Sequence, residues 1–272
     1  MRGSRCPVTS IPRPAPDRLA TLIVHTGFDG TQEELRAIAL AANARGVHCV
    51  TFEGPGQGAV IREQRLPFRP DWEAVVTPVV DHALTLPGVD PARIALLGLS
   101  FGGYLAPRAA AFEHRLAACI ANGSILDYMA PNLPPGMTRQ TAAAWIRDGP
   151  QAADKLIRDL MNTSTDTRWA VQNGMFTFAS SSPAAWFLAA LDYTLTGVAL
   201  WGLRAWPIAE CGAGTRLIVR PSGGGQAQAA RSSPPRSARS NMPQPELAPA
   251  FSETELAPMP SLECDACPRA RQ

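Results

Sequence analysis

The sequence GLSFG at residues 98–102 has the residue types and spacing that could do nucleophilic chemistry. It follows an aliphatic segment at 93–97 that predicts a buried strand, and it precedes a segment with the pattern of a helix. A serine on such a strand-to-helix turn presents its hydroxyl above the sheet, and the flanking glycines let neighbouring backbone approach closely. The N-terminus of the helix favours negative charge beside the hydroxyl. We therefore predict that Ser100 is a nucleophile that attacks a carbonyl carbon.

A nucleophile of this kind needs two backbone N–H groups that point at the developing oxyanion. Phe101, directly after the serine, supplies one of them. The second should come from a loop after an earlier strand, and HTGFDG at residues 25–30 is placed to supply it, with Phe28 as the donor. His25 ends that strand at the same edge. We expect it to shape the oxyanion loop and to lie near the substrate rather than to activate Ser100.

The elements that must position these residues alternate between strand and helix. A parallel sheet with helices on both faces, the α/β class, follows from this order, and chemistry in such sheets sits at the carboxyl ends of the strands. The predicted strands are 19–25, 47–52, 93–97 and 116–121, and the predicted helices are 31–45, 72–86 and 102–112.

The rest of the chain departs from this alternation. Residues 1–18 are rich in Pro and Arg and predict an irregular lead-in, while 19–125 form the core. Residues 126–197 are helical in pattern and predict an inserted helical cap. A degraded remainder of the core follows at 198–220. The final segment, 221–272, is crowded with Pro, Ser, Ala and Arg and predicts a disordered tail.

Composition excludes several classes of function. The chain has 272 residues, 46% of them hydrophobic, and a net charge of +2, so it can bury a core and lacks the charge typical of nucleic-acid binding. The apolar stretch 184–206 approaches membrane-spanning length, but Asp192 and Arg204 favour a buried cap helix. Six scattered cysteines and an amino terminus without an apolar signal core predict a cytoplasmic protein that does not engage membranes.

Four segments resemble bacterial and fungal α/β-hydrolases of the FrsA-like group, which includes 2,6-dihydroxypseudooxynicotine hydrolase and fungal polyketide-shortening hydrolases. The resemblance spans roughly residues 19–196. The segments are HTGFDGTQEEL, FEGPGQG, WEAVVTPVVDH and LLGLSFGGYLAPRAA, and they occur in the family's order.

The resemblance implies an α/β-hydrolase fold with a helical cap, and hydrolysis of esters or of carbon–carbon bonds next to a carbonyl, without a cofactor. The residues themselves predict no metal site, because the Cys264–Cys267 pair has no second pair of ligands. The resemblance also implies that Ser100 is the nucleophile and that Phe28 and Phe101 are the oxyanion donors. Glu53, which begins the EGPGQG loop, either faces the substrate or caps that loop. The aromatic and Met residues of the cap either line an apolar pocket or pack internally. If they line it, the substrate is an apolar or aromatic acyl compound.

The chain departs from the family in its catalytic base and acid. Only His114 follows Ser100, at the far end of the next helix and roughly 20 Å away by helical rise. The acid should follow a strand soon after residue 197, and no aspartate does so there; Asp127 is a weak substitute. Two explanations compete: a shifted reading frame or truncation after about residue 197, and an authentic protein that binds an apolar ligand without catalysis.

The family also has strands before the segment that begins at Leu19. Their absence from the predicted elements leaves one edge of the sheet uncovered, which favours association between copies. A homo-oligomer is therefore an open expectation.

Overall fold

The computed structural model describes residues 6–11, 18–198, 208–210, 215–219 and 262–264. These residues contain an eight-stranded sheet in the order β6-β7-β5-β4-β2-β3-β1-β8. The strands are β1 (Cys6–Ile11), β2 (Leu19–His25), β3 (His48–Phe52), β4 (Val89–Leu99), β5 (Ala118–Asn122), β6 (Ile208–Glu210), β7 (Thr215–Val219) and β8 (Leu262–Cys264).

The four central strands β3, β2, β4 and β5 are parallel, as predicted, so their carboxyl ends meet at one edge. The register places His25 opposite Gly98, and Leu99 opposite Asn122. This pairing brings the loop after β2 beside the turn that carries Ser100. The outer strands β1, β6, β7 and β8 pair antiparallel to their neighbours.

Helices cover both faces of the sheet, which confirms the predicted α/β class. The aliphatic side chains of β2 and β4 alternate between the two faces, so each face has its own core. One core contains Trp72, Leu96 and Tyr104, and the other contains Val24, Leu35 and Leu97. The core helices are α1 (Arg36–Ala44), preceded by a 3₁₀ turn at Gln32–Leu35, α2 (Glu73–Thr85) and α3 (Gly102–Ala110).

The region predicted as a cap is helical, and its two ends lie together. The Tyr128 N–H donates to the Tyr193 carbonyl at 3.0 Å, and the Leu195 N–H donates to the Leu126 carbonyl at 2.8 Å. The insertion therefore leaves and rejoins the core at one place, just after β5. Its helices are α4 (Arg139–Asp148), α5 (Pro150–Thr163), α6 (Thr165–Thr177) and α7 (Pro183–Ala190).

Serine and threonine side chains fix where three of the cap helices begin. Thr138, Ser164 and Ser182 each accept a hydrogen bond from the backbone N–H three residues later. Each bond satisfies a donor that the first helical turn leaves unpaired. None of the helices within the described ranges is long and apolar enough to cross a membrane. The predicted apolar stretch extends past residue 198 into residues outside those ranges.

Three predictions about the ends of the core need correction. Six residues of the lead-in predicted as irregular form β1, which pairs with β3, so the edge predicted to be uncovered is occupied. Periodicity did not predict this strand, because it contains a proline and is only six residues long. Leu262–Cys264, inside the tail predicted as disordered, pairs with β1. The rest of that tail lies outside the described residues.

Candidate active site

Ser100 lies on a strained turn between β4 and α3. Its φ is +57°, in the left-handed region, which costs a non-glycine residue about 1–3 kcal/mol. The side chain is exposed, whereas Gly98 and Phe101 beside it are buried. A Cβ at Gly98 would lie 2.0 Å from the carbonyl oxygen of Gly102, so only glycine permits this approach of strand and helix. The turn has the geometry that the GLSFG sequence predicts.

The loop after β2 packs directly against this turn. A Cβ at Gly27 would lie 2.6 Å from the backbone nitrogen of Phe101, so the two predicted oxyanion donors belong to backbone segments in close contact. Thr26 closes the loop by donating its hydroxyl to the Gly30 carbonyl at 2.9 Å. Within the ranges that the structure describes, neither the Phe28 N–H nor the Phe101 N–H has an acceptor. Both donors are free to bind an anionic oxygen.

The EGPGQG loop after β3 contacts the oxyanion loop through Gln57 and is itself held by Glu53. Glu53 is 2% exposed, and its two carboxylate oxygens accept from the Gln32 N–H at 2.9 Å and the Ala59 N–H at 2.7 Å. Burial raises the pKa of this carboxyl above its ordinary value, against the lowering effect of these two bonds. The contacts are those of the loop-capping role, and contact with a substrate stays a prediction.

His25 lies beneath the start of α3 and has no exposed surface. Its Nδ1 is 2.8 Å from the Thr26 carbonyl, which can only accept, so Nδ1 carries the proton. The ring packs against Phe52 and Trp72, at centroid distances of 5.2 and 5.6 Å. The bond to the Thr26 carbonyl joins His25 to the oxyanion loop, and its role in shaping that loop stays a prediction. Its place beside the substrate stays a prediction.

Burial lowers the pKa of His25 from 6.5 to about 4, so stability should depend on pH. The unfolded chain takes up this proton below pH 6.5 and the folded chain does not, so stability is lost as the pH falls from 6.5 towards 4. We expect a loss of about 3 kcal/mol across that window. Urea unfolding of the full chain at pH 7 and pH 4.5 measures it.

His25→Asn retains a donor for the Thr26 carbonyl and has no group that titrates in this range. We expect His25→Asn to remove most of the change in the free energy of unfolding between the two pH values. The control His114→Gln, at an exposed position, should keep that change. Equal changes in wild type and His25→Asn would contradict the assignment.

Aromatic side chains join the core to the cap around the predicted oxyanion donors. Phe101 contacts Tyr128 at 4.3 Å and Tyr193 at 5.4 Å between ring centroids. Phe28 meets the edge of Trp169 on α6 at 6.0 Å, and the Asn173 side chain on the same helix donates to the Phe28 carbonyl at 3.1 Å. The cap therefore touches the oxyanion loop directly, through α6.

The predicted aromatic lining of the cap divides into three groups. Trp169 and Phe178 belong to the cluster beside the turn; Phe178 lies 5.3 Å from Phe68 and 5.1 Å from Tyr193. Trp186 instead packs inside the cap, where a Cβ at Gly174 would lie 2.2 Å from its ring. Trp145 and Phe176 are 41% exposed. Phe178 is buried, so Trp169, 49% exposed, is the cap aromatic of this cluster that offers an apolar surface beside the turn.

The structure gives Ser100 no general base among the later histidines. His114 is exposed and lies beyond the C-terminal end of α3, whereas Ser100 lies before its N-terminus. Asp127 caps the following turn by accepting from the Met129 and Ala130 N–H groups, and it pairs with Arg139 at 3.3 Å. Its carboxylate is thus already engaged by two backbone N–H groups and by Arg139.

The chain belongs to the Alpha/beta hydrolase family, whose model matches residues 22–262. The match includes the turn that carries Ser100, the oxyanion loop and the cap. Family membership agrees with the fold described above and with the resemblance carried by the four sequence segments.

Individual relatives are fungal proteins named as hydrolases. "Hydrolase ORFZ" of Pyricularia oryzae is 34% identical over 76% of this chain and 50% of that protein. "Hydrolyase poxO" of Penicillium oxalicum is 30% identical over 78% of this chain and 52% of that protein. The chain spans about half the length of these relatives. Among solved structures, 2,6-dihydroxy-pseudo-oxynicotine hydrolase aligns over 75% of this chain and 58% of its own, at 21% identity and a TM-score of 0.47.

Two polar residues at the site escaped the sequence reasoning. Gln57 lies in the EGPGQG loop, where the glycines mark a turn but nothing in the sequence marks the Gln57 side chain. Asn173 lies mid-helix in the cap, where no motif marks it. Both donate to carbonyls of the oxyanion loop. Only the tertiary fold brings them there, because Asn173 is 145 residues from Phe28 in sequence.

Proposed function

We propose that the protein is a serine hydrolase that cleaves an ester, or a carbon–carbon bond next to a ketone, in an apolar or aromatic acyl substrate. The observation that carries the proposal is the exposed Ser100 at φ +57° beside two unpaired backbone N–H groups. Such a turn is strained, and strain of this kind is retained where function requires it.

The chemistry follows from this geometry. The Ser100 Oγ bonds to the carbonyl carbon, the π electrons move to the carbonyl oxygen, and the N–H groups of Phe28 and Phe101 stabilise the resulting oxyanion. Collapse breaks the bond to the alkoxide or enolate, which leaves with the proton that the Ser100 hydroxyl gave up. Water then hydrolyses the acyl-serine. The hydroxyl proton must pass to a base, and the described residues after Ser100 offer none in place.

The aromatic surface beside the turn supports the substrate class. Phe28, Phe101 and Tyr128 pack together next to the predicted donors, and Tyr128 and Trp169 carry the exposed part of this aromatic wall, since Phe28 and Phe101 are buried. Flat apolar acyl groups bury most area against such a wall. Small polar acyl groups would gain less from it.

Ser100→Ala tests the proposal. We expect hydrolysis of p-nitrophenyl benzoate to fall to the rate of buffer alone, a loss of about 10³-fold or more, because the attacking oxygen is removed. Nitrophenolate absorbance measures turnover of the ester. A parallel assay with an aryl β-diketone measures cleavage of a carbon–carbon bond. Ser181→Ala, an exposed cap serine, is the matched control and should keep the wild-type rate. Equal rates in wild type and Ser100→Ala would overturn the proposal.

A second candidate, an apolar-ligand-binding protein without turnover, is favoured by two observations: the Asp127 carboxylate is engaged by other partners, and His114 is remote from Ser100. It predicts that a fluorescent aryl ketone binds with the same affinity to wild type and Ser100→Ala, and that neither consumes it.

A further inference from the structure

We propose that Gln57 is a positioning residue that orients the Phe28 N–H towards the substrate oxyanion, an inference that rests on the function proposed above. Gln57 is 1% exposed, so its amide must find partners inside the protein. Its Nε2 donates to the Thr26 carbonyl at 2.9 Å and to the Gly27 carbonyl at 3.1 Å. Its Oε1 accepts from the Gly54 N–H at 2.9 Å. Both amide protons of Gln57 therefore donate to carbonyls of the oxyanion loop.

The bond to Gly27 acts on the predicted oxyanion donor through the peptide plane. The Gly27 carbonyl and the Phe28 N–H belong to one planar trans peptide, in which the two bonds point in opposite directions. Because Gln57 holds the carbonyl on one side, the N–H is held on the other. An amide whose carbonyl accepts a hydrogen bond is also polarised into a stronger N–H donor.

The loop needs this restraint because Gly27 must be glycine. A side chain there would enter the space beside the Phe101 nitrogen, but a glycine leaves the adjoining peptide planes free to rotate. Asn173 holds the next carbonyl, that of Phe28, at 3.1 Å. Three consecutive carbonyls, from Thr26 to Phe28, therefore accept side-chain donors, and the Phe28 N–H between them stays unpaired.

Gln57→Glu isolates the donor function. The glutamate keeps an acceptor for the Gly54 N–H but replaces the amide nitrogen by an oxygen that faces two carbonyls. When the glutamate is ionised, it repels both carbonyls; when it is protonated, its O–H can again donate to one of them. A residue with a purely structural role in the EGPGQG loop would not make catalysis depend on that proton.

The experiment compares p-nitrophenyl benzoate hydrolysis by full-length wild type, Gln57→Glu and Gln151→Glu between pH 5 and pH 9. Gln151 is exposed on α5 and controls for the added charge. We expect kcat of Gln57→Glu at pH 8 to fall about 10- to 100-fold with KM within about threefold, since losing a whole donor costs 10²–10³-fold. Relative to wild type, kcat should recover as the pH falls. A wild-type kcat, or a loss that does not change with pH, would overturn the proposal.

Two further readouts keep the outcomes distinct. If wild type does not hydrolyse the ester, the proposed function fails. The orientation of the Phe28 N–H by Gln57 is then tested by the Phe28 amide resonance in ¹⁵N spectra, which should shift in Gln57→Glu and not in Gln151→Glu. An unshifted resonance would overturn the orientation. If Gln57→Glu does not fold, Gln57→Met, of similar length and without a donor, takes its place and should show the same drop in kcat without recovery at low pH.

Discussion

Gly98→Ala is expected to lower the free energy of unfolding by about 3 kcal/mol, the upper part of the range for overpacked interiors. The added Cβ would lie 2.0 Å from the Gly102 carbonyl oxygen and 2.5 Å from the Gly102 carbonyl carbon. Both contacts are with backbone, so no side-chain rotation can relieve them, and α3 must move away from β4. The turn that holds Ser100 at φ +57° would be lost with this contact.

Urea unfolding followed by circular dichroism measures the change. Gly149→Ala is the control, since the nearest atoms to its added Cβ lie 3.8 Å away. We expect little change in that variant. A Gly98→Ala protein as stable as wild type would contradict the close approach of strand and helix described here.

Gly27→Ala is expected to reduce kcat for ester hydrolysis by about 10²-fold or more, comparable to the loss of an oxyanion donor. Its Cβ would lie 2.6 Å from the Phe101 nitrogen and 2.7 Å from the Leu99 carbonyl oxygen. Either the methyl group fills the space that the substrate oxygen needs, or the loop retreats and carries the Phe28 N–H away.

Gly30→Ala, in the same loop, is the matched control for Gly27→Ala. The three atoms nearest to its added Cβ are side-chain atoms of Thr26 and Glu34, at 3.0 and 3.1 Å. We expect its kcat to stay within a few-fold of wild type. Steady-state rates on p-nitrophenyl benzoate compare the two variants, and similar losses in both would argue against a specific oxyanion site at Gly27.

The sequence was sufficient to predict the parallel core and the turn at Ser100, for a physical reason. Strand 19–25 is a mainly aliphatic run, LATLIVH, and GLSFG combines a strand end, a helix start and two glycines within five residues. Local signals of this kind survive in any tertiary context. The Ser100 turn and the glycine contacts beside it are therefore where sequence reasoning was most informative.

The rest depended on contacts between distant segments. β1 is a six-residue strand containing Pro7, and its pairing with β3 and β8 identifies it. Gln57 and Asn173 carry no recognisable motif, because their roles come from carbonyls that the fold brings to them. The aromatic wall likewise joins Phe28, Phe101 and Tyr128 from three separate segments.

Labelling with a fluorophosphonate probe tests the central claim most directly, namely that Ser100 is a nucleophile in a backbone oxyanion hole. Folded wild-type protein is incubated with the probe, and intact mass and peptide mapping then locate the adduct. The account predicts one adduct per chain, on Ser100, absent from Ser100→Ala and from heat-denatured wild type. Folded protein that takes up no probe, or that is labelled equally in Ser100→Ala, would contradict it.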